Sequence, residues 1–145
     1  MRVIMQQQTT AIDLIELINN KYNEIRNMIE SKWNASNDIT ITNSEWLIIT
    51  FIYGKQMSIS EIAKELGISR QAAHKSIKSL GAKGLIEMNY LENNNRNKFI
   101  KLTELGERCY IKNQEIKIGI EVDVLKKLGT DKMNILKELL CEDWI

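Results

Sequence analysis

Apolar residues near the start of the chain recur at alternating steps of three and four positions. This spacing is typical of one face of an α-helix and of a coiled-coil seam. The residues in the series are Ala11, Ile15, Ile18, Tyr22, Ile25 and Ile29. Leu14, Leu17 and Met28 widen the apolar surface beyond one stripe. The pattern predicts a helix over residues 10–33 that packs against more than one neighbour, followed by a polar turn over residues 34–42.

Two capping patterns predict where the next two helices start. Residues 42–45 (TNSE) and 58–61 (SISE) each place a glutamate three positions after a threonine or serine, which is the capping-box pattern. The first of these helices is predicted to end at Gly54 and the second at Gly67. Glycine readily adopts the left-handed conformation that ends many helices.

A third short helix follows the turn at Gly67. Ser69 is a suitable N-cap, and Ala73, Ile77 and Leu80 fall on one side of a helix that runs to about residue 83. Two helices joined by a few residues that include a glycine are typical of a helix-turn-helix motif. Residues 58–83 therefore predict such a motif.

After residue 84 the hydrophobic period changes from helical spacing to strict alternation. Residues 85–90 and 98–102 alternate apolar and polar side chains, and the polar stretch 92–97 lies between them. This pattern predicts two strands joined as a hairpin. A long helix is predicted from residue 103 to a break at residues 129–131, and a last helix ends near residue 144.

Composition narrows the class of protein. The 145 residues suit one domain, and 43% hydrophobic with 27% charged residues is ordinary for a globular protein. No apolar run approaches the roughly 18 residues of a membrane span, and residues 1–8 do not form a signal peptide, so we predict a cytoplasmic protein.

Two cysteines and one histidine are too few for a structural zinc site of about four ligands. The sequence has no nucleophile elbow, P-loop or GxGxxG motif, so we predict neither an enzyme nor a cofactor.

Positive charge is concentrated in the third short helix and the hairpin. Residues 67–102 contain seven Lys or Arg and two Glu, a net charge of +5, whereas the whole chain carries +1. One basic region in a near-neutral protein is typical of nucleic-acid binding. A solvated charged face remains the alternative explanation.

The order of helix, helix-turn-helix and hairpin predicts a winged helix, and three segments carry a resemblance to a known family. Residues 57–73 (MSISEIAKELGISRQAA), 80–87 (LGAKGLIE) and 101–106 (KLTELG) resemble the MarR (multiple-antibiotic-resistance regulator) family. The matching parts are its helix-turn-helix, its first wing strand, and its second wing strand with the start of its dimer helix.

The resemblance implies a mainly α fold with a small β-hairpin wing. It also implies a single domain over residues 1–145. Residues 44–102 form its winged helix-turn-helix DNA-binding region, and residues 1–43 and 103–145 form its dimerisation helices.

The third short helix would be the recognition helix, whose N-terminal part meets base edges in the major groove. We expect Arg70, Gln71 and His74 to read bases, since arginine pairs well with guanine and glutamine with adenine. For His74, a surface histidine without a role is an open alternative. The residues expected to bind phosphates are Ser69, Lys75 and Lys78.

The hairpin adds further candidate DNA contacts. Arg96 resembles the family's wing arginine, which would enter a narrow minor groove; a solvated turn residue is the alternative. Lys98 and Lys101 are expected to contact the DNA backbone. Ser58 and Ser60 lie where helix amides can bind a phosphate, although simple helix capping explains them as well.

The terminal helices are too apolar for a lone small domain, and a twofold pair of recognition helices reads a palindrome. We therefore predict a homodimer, with packing inside one chain as the alternative. Ile116 and Ile120 belong to an apolar stripe that runs from Leu105 through Cys109 to Leu128. The expected interface residues are Ile15, Ile18, Tyr22, Ile116, Ile120, Leu136, Leu139 and Leu140.

Together these features predict a sequence-specific transcriptional regulator, a repressor, that binds a palindromic operator in double-stranded DNA. A protein-interaction module (an antirepressor or a heterodimerising paralogue) and a nucleoid binder with little sequence preference remain alternatives. The family resemblance also implies a small-molecule effector, of unknown identity. A redox switch at Cys109 or Cys141 is a further alternative, less favoured because Cys109 lies on an apolar stripe.

Overall fold

The computed structural model describes residues 13–91 and 94–145, with the backbone alone for residues 90, 91 and 94–97. Its elements, in chain order, are α1 (Leu14–Ser36), α2 (Asn43–Ile52), β1 (Met57–Ser58), α3 (Ile59–Leu66), α4 (Arg70–Ala82), β2 (Ile86–Leu91), β3 (Asn94–Leu102), α5 (Glu104–Leu128) and α6 (Thr130–Cys141). Of the described residues, those up to Thr40 and those from Ile41 onward form two compact units. The predicted fold class, mainly helical with a small β wing, is confirmed. In the described part of the chain, no helix is long and apolar enough to cross a membrane.

Helix α1 is the main element of the first unit. Asp13 caps it by accepting a hydrogen bond from the Glu16 amide at 2.8 Å. The helix continues to Ser36, three residues beyond the predicted end, and the predicted start at residues 10–12 lies outside the described residues. Trp33 is buried, and its indole N–H donates to the Ile39 carbonyl at 2.7 Å. This bond holds the turn that follows the helix.

The second unit begins with a complete capping box on α2. The Glu45 amide donates to Thr42 Oγ1 at 3.2 Å, and the Thr42 amide donates to Glu45 Oε1 at 3.2 Å. The box at α3 is only half formed, because Ser58 Oγ accepts from the Glu61 amide at 3.2 Å without a reciprocal bond among the described contacts. The prediction of two full boxes is therefore wrong for the second.

The turn between α3 and α4 follows the prediction from Gly67. This glycine has a φ of 64°, and the Ile68 amide donates to the Ala63 carbonyl at 3.0 Å. These features form the left-handed C-cap that glycine favours. Ser69 then caps α4, accepting from the Ala72 amide at 3.0 Å. The predicted helix-turn-helix is confirmed.

The β-sheet has one strand more than the sequence predicted. Its antiparallel order is β1-β3-β2, and β1 pairs Met57 with Ile100 and Ser58 with Phe99. A two-residue strand shows no periodicity, so the pattern of apolar residues could not reveal it. Ile86 in β2 is buried, whereas Met88 is 44% exposed. Among the described side chains of this face of β2, Ile86 therefore meets the core and Met88 does not.

Helices α5 and α6 complete the second unit, with a break at Gly129 as predicted. Thr103 caps α5 by accepting from the Gly106 amide at 3.1 Å. Helix α6 ends at Cys141, before the predicted position, and the Trp144 indole donates to the Leu139 carbonyl at 2.8 Å. Helix α5 packs against α2, β3 and α6.

Candidate nucleic-acid interface

Helix α4 has an apolar face and a polar face. Ala73, Ile77 and Leu80 are at most 1% exposed and bind the helix to the core. The polar side chains on the rest of its surface are exposed. They are Ser69, Arg70, Gln71, His74, Lys75 and Lys78. The face that the sequence assigned to DNA is therefore open to solvent in this chain.

A groove runs between the start of α3, the first half of α4 and the base of the wing. Its volume is about 400 Å³, and we call it the wing groove. Its lining residues are Ser58, Ile59, Ser60, Glu61, Arg70, His74, Lys98 and Phe99. Five candidate contacts thus meet in one concave surface: Ser58, Ser60, Arg70, His74 and Lys98.

The pairing of β1 with β3 explains how the wing groove forms. Ser58 is both the N-cap of α3 and the register partner of Phe99. This pairing brings the start of α3 beside the wing strand, where Lys98 precedes Phe99. The sequence analysis missed Phe99 and Glu61 as groove residues because only the strand pairing places them there.

Two of the seven cations in the basic segment form ion pairs away from the groove. Lys83 Nζ lies 2.8 Å from Glu45 Oε1, and Lys101 Nζ lies 3.1 Å from Glu87 Oε1. Lys101 faces its partner across the strands and lines a second cavity of about 380 Å³, with Gly54 among its other residues. Lys101, expected to contact the DNA backbone, is therefore not brought together with the groove residues.

The predicted role of Arg96 depends on a side chain that lies outside the described residues. The backbone of Arg96 belongs to β3, close to the turn of the hairpin. Nothing in the described contacts tests its assignment to the minor groove, which stays a prediction.

The two cysteines differ in their exposure to solvent. Cys109 is buried and Cys141 is exposed, and neither forms a disulfide. Burial raises the pKa of the Cys109 thiol, and the nearby Lys112 and Arg108 oppose that shift. Among the residues that the structure describes, no three His, Cys, Asp or Glu side chains cluster as metal ligands.

Comparison with known proteins assigns the chain to a family. A family model described as "MarR family" matches residues 38–89. The HTH-type transcriptional regulator FarR of Neisseria gonorrhoeae is 30% identical over 112 residues, which cover 73% of each protein. The chain belongs to the MarR family. It is thus a member of a family of winged-helix, DNA-binding transcriptional regulators.

Solved structures of MarR-family proteins share this fold. Apo MarR from E. coli superposes with a TM-score of 0.74 at 21% identity, covering 89% of this chain and 95% of that one. FabT of Streptococcus pneumoniae, solved in complex with DNA, gives 0.74 at 19% identity, with 88% and 90% covered. NadR in complex with 4-hydroxyphenylacetate gives 0.65 at 26% identity, with 88% of each chain covered.

Outside the winged helix, this MarR-family chain exposes many large apolar side chains. Of the predicted dimer contacts, six are exposed by 40% or more: Ile15, Ile18, Tyr22, Leu136, Leu139 and Leu140. Ile116 is half-buried, but Ile120 is 5% exposed. The choice of Ile120 therefore needs correction, because a side chain buried within one chain has little surface left for a partner.

A different face of α5 is open instead. Ile118, Val122 and Leu125 are 61%, 43% and 37% exposed. Their spacing of four and three positions is that of a helical stripe. The sequence analysis chose the stripe through Cys109 and Ile120, which is the buried one. A second stripe of the same period was present in the sequence. Periodicity alone did not show which stripe faces the core and which faces solvent.

Proposed function

We propose that this chain is a transcriptional repressor that binds an inverted-repeat operator as a homodimer. The observation that carries the proposal is the wing groove, where Arg70 and His74 from α4 meet Lys98 from the wing. An exposed, basic helix N-terminus beside a β wing has the shape and charge of a major-groove reader.

The residues of α4 divide by their position along the helix. Arg70 and Gln71 lie in its first turn, and His74 follows one turn later. The N-terminal part of a recognition helix reaches base edges, so these three side chains are proposed to read sequence. Arginine to guanine and glutamine to adenine are the pairings that hydrogen-bond geometry favours.

Phosphate contacts supply the non-specific part of the affinity. The proposed contacts are Ser69, Lys75 and Lys78 from α4, Ser58 from α3 and Lys98 from the wing, with Arg96 in the minor groove. Ser58 caps α3 with its hydroxyl, so its contribution to DNA binding comes through the amides of the helix N-terminus. Lys101 is left out because it pairs with Glu87.

A second copy of the chain is proposed to cover the exposed apolar side chains of the terminal helices. Ile118 and Val122 on α5, and Leu139 and Leu140 on α6, are each at least 43% exposed. These two helices pack against each other, and exposed apolar patches mark interaction sites in soluble proteins. A symmetric dimer presents two recognition helices at half-sites about one helical turn, or roughly 10 bp, apart. A dimer bound over a promoter excludes other proteins from that DNA, which is the basis for proposing repression.

The proposal includes a small-molecule effector of the dimer. It rests on the MarR-family neighbour NadR, which was solved in complex with 4-hydroxyphenylacetate. A thermal-shift screen of aromatic carboxylates, followed by operator binding with each hit, tests this part. A ligand that stabilises the protein and lowers operator affinity supports it, and a screen without such a ligand argues against this class of effector.

The test of the main proposal is selection of binding sites from random duplex DNA, followed by fluorescence anisotropy on the selected site at two salt concentrations. Enrichment of an inverted repeat is the expected result. Sequence-independent binding would point to a nucleoid binder. Absence of binding at low salt, where counterion release most favours complex formation, would point to a protein-interaction module.

Two arginine variants make this test more specific, one at a proposed base contact and one at a control position. Arg70→Ala should lower operator affinity by roughly 10- to 100-fold and relax selection at one base pair per half-site, as expected for a lost bidentate base contact. Arg108→Ala is the matched control, because Arg108 is exposed on α5 and pairs only at the surface with Glu104. It removes the same charge and should leave both affinity and selection unchanged.

A further inference from the structure

Glu45 is a charged side chain in the protein interior, where the desolvation of a charge costs free energy. It is 2% exposed, and a buried carboxylate needs partners for both oxygens to offset its desolvation. The structure supplies them. Oε1 accepts from the Thr42 amide at 3.2 Å and from Lys83 Nζ at 2.8 Å. Oε2 accepts from Lys83 Nζ at 2.9 Å and from Ser79 Oγ at 3.4 Å.

These contacts join two elements that are distant in sequence. Thr42 and Glu45 belong to the start of α2, whereas Ser79 lies in the last turn of α4 and Lys83 is its C-cap. The Glu45 carboxylate therefore holds the C-terminal end of the recognition helix to the N-terminal end of α2. We call Glu45, Ser79 and Lys83 the rear anchor.

The rear anchor lies at the opposite end of α4 from the proposed base readers. Thirteen residues span Arg70–Ala82, so the helix is about 20 Å long at a rise of about 1.5 Å per residue. A rotation of about 3° around the anchored end moves the Arg70 end by about 1 Å, over that length. Hydrogen bonds to base edges tolerate a displacement of little more than a few tenths of an ångström. A small rotation at the anchored end of α4 therefore moves the base-reading end far enough to break such bonds.

Close apolar packing limits this rotation, but it does not set the angle of the helix through directed bonds. Ala73 and Ile77 attach α4 to the core through contacts that have no preferred direction, and Leu80 does the same near its end. A carboxylate that receives hydrogen bonds from three different residues restrains both position and angle. Buried ion pairs contribute to structural specificity in this way in some proteins even where they add little stability.

We propose that Glu45 and Lys83 are positioning residues for sequence reading: they fix the angle of the recognition helix and do not touch DNA. The inference rests on the proposed function and adds to it a determinant of specificity outside the interface. It also reassigns Lys83, which the charge pattern grouped with the DNA-binding cations, to an internal role.

The test compares operator and scrambled duplexes by anisotropy over a range of salt. Lys83→Met removes the ammonium and keeps most of the stem. We expect operator affinity to fall by about tenfold or more, the scale of a displaced base contact. Affinity for scrambled DNA and the salt slope should stay at wild-type values, because no phosphate contact is lost. Glu45→Gln, which removes the charge but keeps an acceptor, should lower the operator-to-scrambled ratio in the same direction.

Two further variants separate positioning from general destabilisation. Thr42→Ala removes the cap of the same α2 helix but leaves the link from Glu45 to Lys83, so it should keep the wild-type ratio. Lys83→Arg should keep the operator-to-scrambled ratio near its wild-type value, since a guanidinium can donate to both carboxylate oxygens. If Lys83→Met does not fold, Glu45→Gln and Lys83→Arg decide between the explanations.

Several results would overturn the inference. A wild-type ratio in Lys83→Met or Glu45→Gln shows that the anchor does not set specificity. Equal losses on both duplexes, with a salt slope reduced by about one, show that Lys83 binds a phosphate. Wild-type protein that does not discriminate operator from scrambled DNA refutes the proposed function itself, and that measurement comes before the variants are compared.

Discussion

Gly106 in the first turn of α5 lies where no other residue fits. A Cβ at this position would fall less than 3.0 Å from the Leu85 carbonyl oxygen, 3.1 Å from its carbon and 3.2 Å from Leu102 Cδ2. The same carbonyl oxygen accepts from the Thr103 amide at 3.0 Å, and Thr103 Oγ1 donates to the Gly84 carbonyl at 2.6 Å. Gly106→Ala must therefore separate the start of α5 from the residues that lead into β2.

The opposing contributions to the stability of Gly106→Ala can be compared. Alanine in place of glycine stabilises an ordinary helix position by about 1 kcal/mol. The new methyl group forces a backbone shift of the order of 1 Å to reach an ordinary C–H···O separation, and such overpacking costs about 1–3 kcal/mol. Weakening the two Thr103 hydrogen bonds costs about 1 kcal/mol each. We expect a net loss of about 2–4 kcal/mol in the free energy of unfolding.

Denaturant unfolding followed by circular dichroism measures this change, at one protomer concentration because dimerisation contributes to stability. Gly119→Ala is the matched control in the same helix, since a Cβ there meets no heavy atom within 4 Å. It should be neutral or more stable by up to about 1 kcal/mol. Gly81→Ala, with equally open space, is a second control away from the proposed dimer surface. A Gly106→Ala protein as stable as both controls would refute the reasoning.

The remaining predictions concern DNA binding, assembly and thiol chemistry. Lys78→Ala should weaken binding to all DNA sequences alike and lower the salt slope by about one; a change in site preference would contradict its assignment to a phosphate. Val122→Asp should raise the dimer dissociation constant at least about tenfold, since a partner would bury the new charge. Sedimentation at several concentrations measures it, and an unchanged constant would exclude this face of α5. A thiol reagent should modify Cys141 first, because Cys109 is buried and burial raises its pKa. Equal rates in the folded protein, compared with the denatured protein as a control, would contradict that order.

The helix boundaries with a local chemical cause were predictable from the sequence. The Thr42 box, the Ser69 cap and the left-handed Gly67 all formed as their residue types indicate. Each depends on hydrogen bonds within a few residues, so the local sequence contains all the partners. Their order along the chain was enough for the winged helix-turn-helix, whereas the family was indicated by the resemblance of residues 57–73, 80–87 and 101–106.

Apart from the incomplete box at Ser58, which is local, the errors occurred where partners come from distant parts of the chain. Lys83 was one of the seven cations counted toward the basic segment, but it forms an internal ion pair with Glu45, 38 positions away. Ile120 was assigned to the dimer surface, but it is buried. Strand β1 was missed because its two residues become a strand only by pairing with β3. For Lys83 and Ile120, the charge or the hydrophobicity was identified correctly, and the side that it faces was not.

The sequence by itself determined the type and order of every element except β1, the concentration of positive charge in residues 67–102, and the polar face of α4. These depend on residue type and on spacing within one element. Only the tertiary structure decided which of the cations line the wing groove, which apolar stripe of α5 is left open, and that a buried carboxylate joins the C-terminal end of α4 to the start of α2. Those properties depend on contacts between residues far apart in the chain, and periodicity within one element carries no information about them.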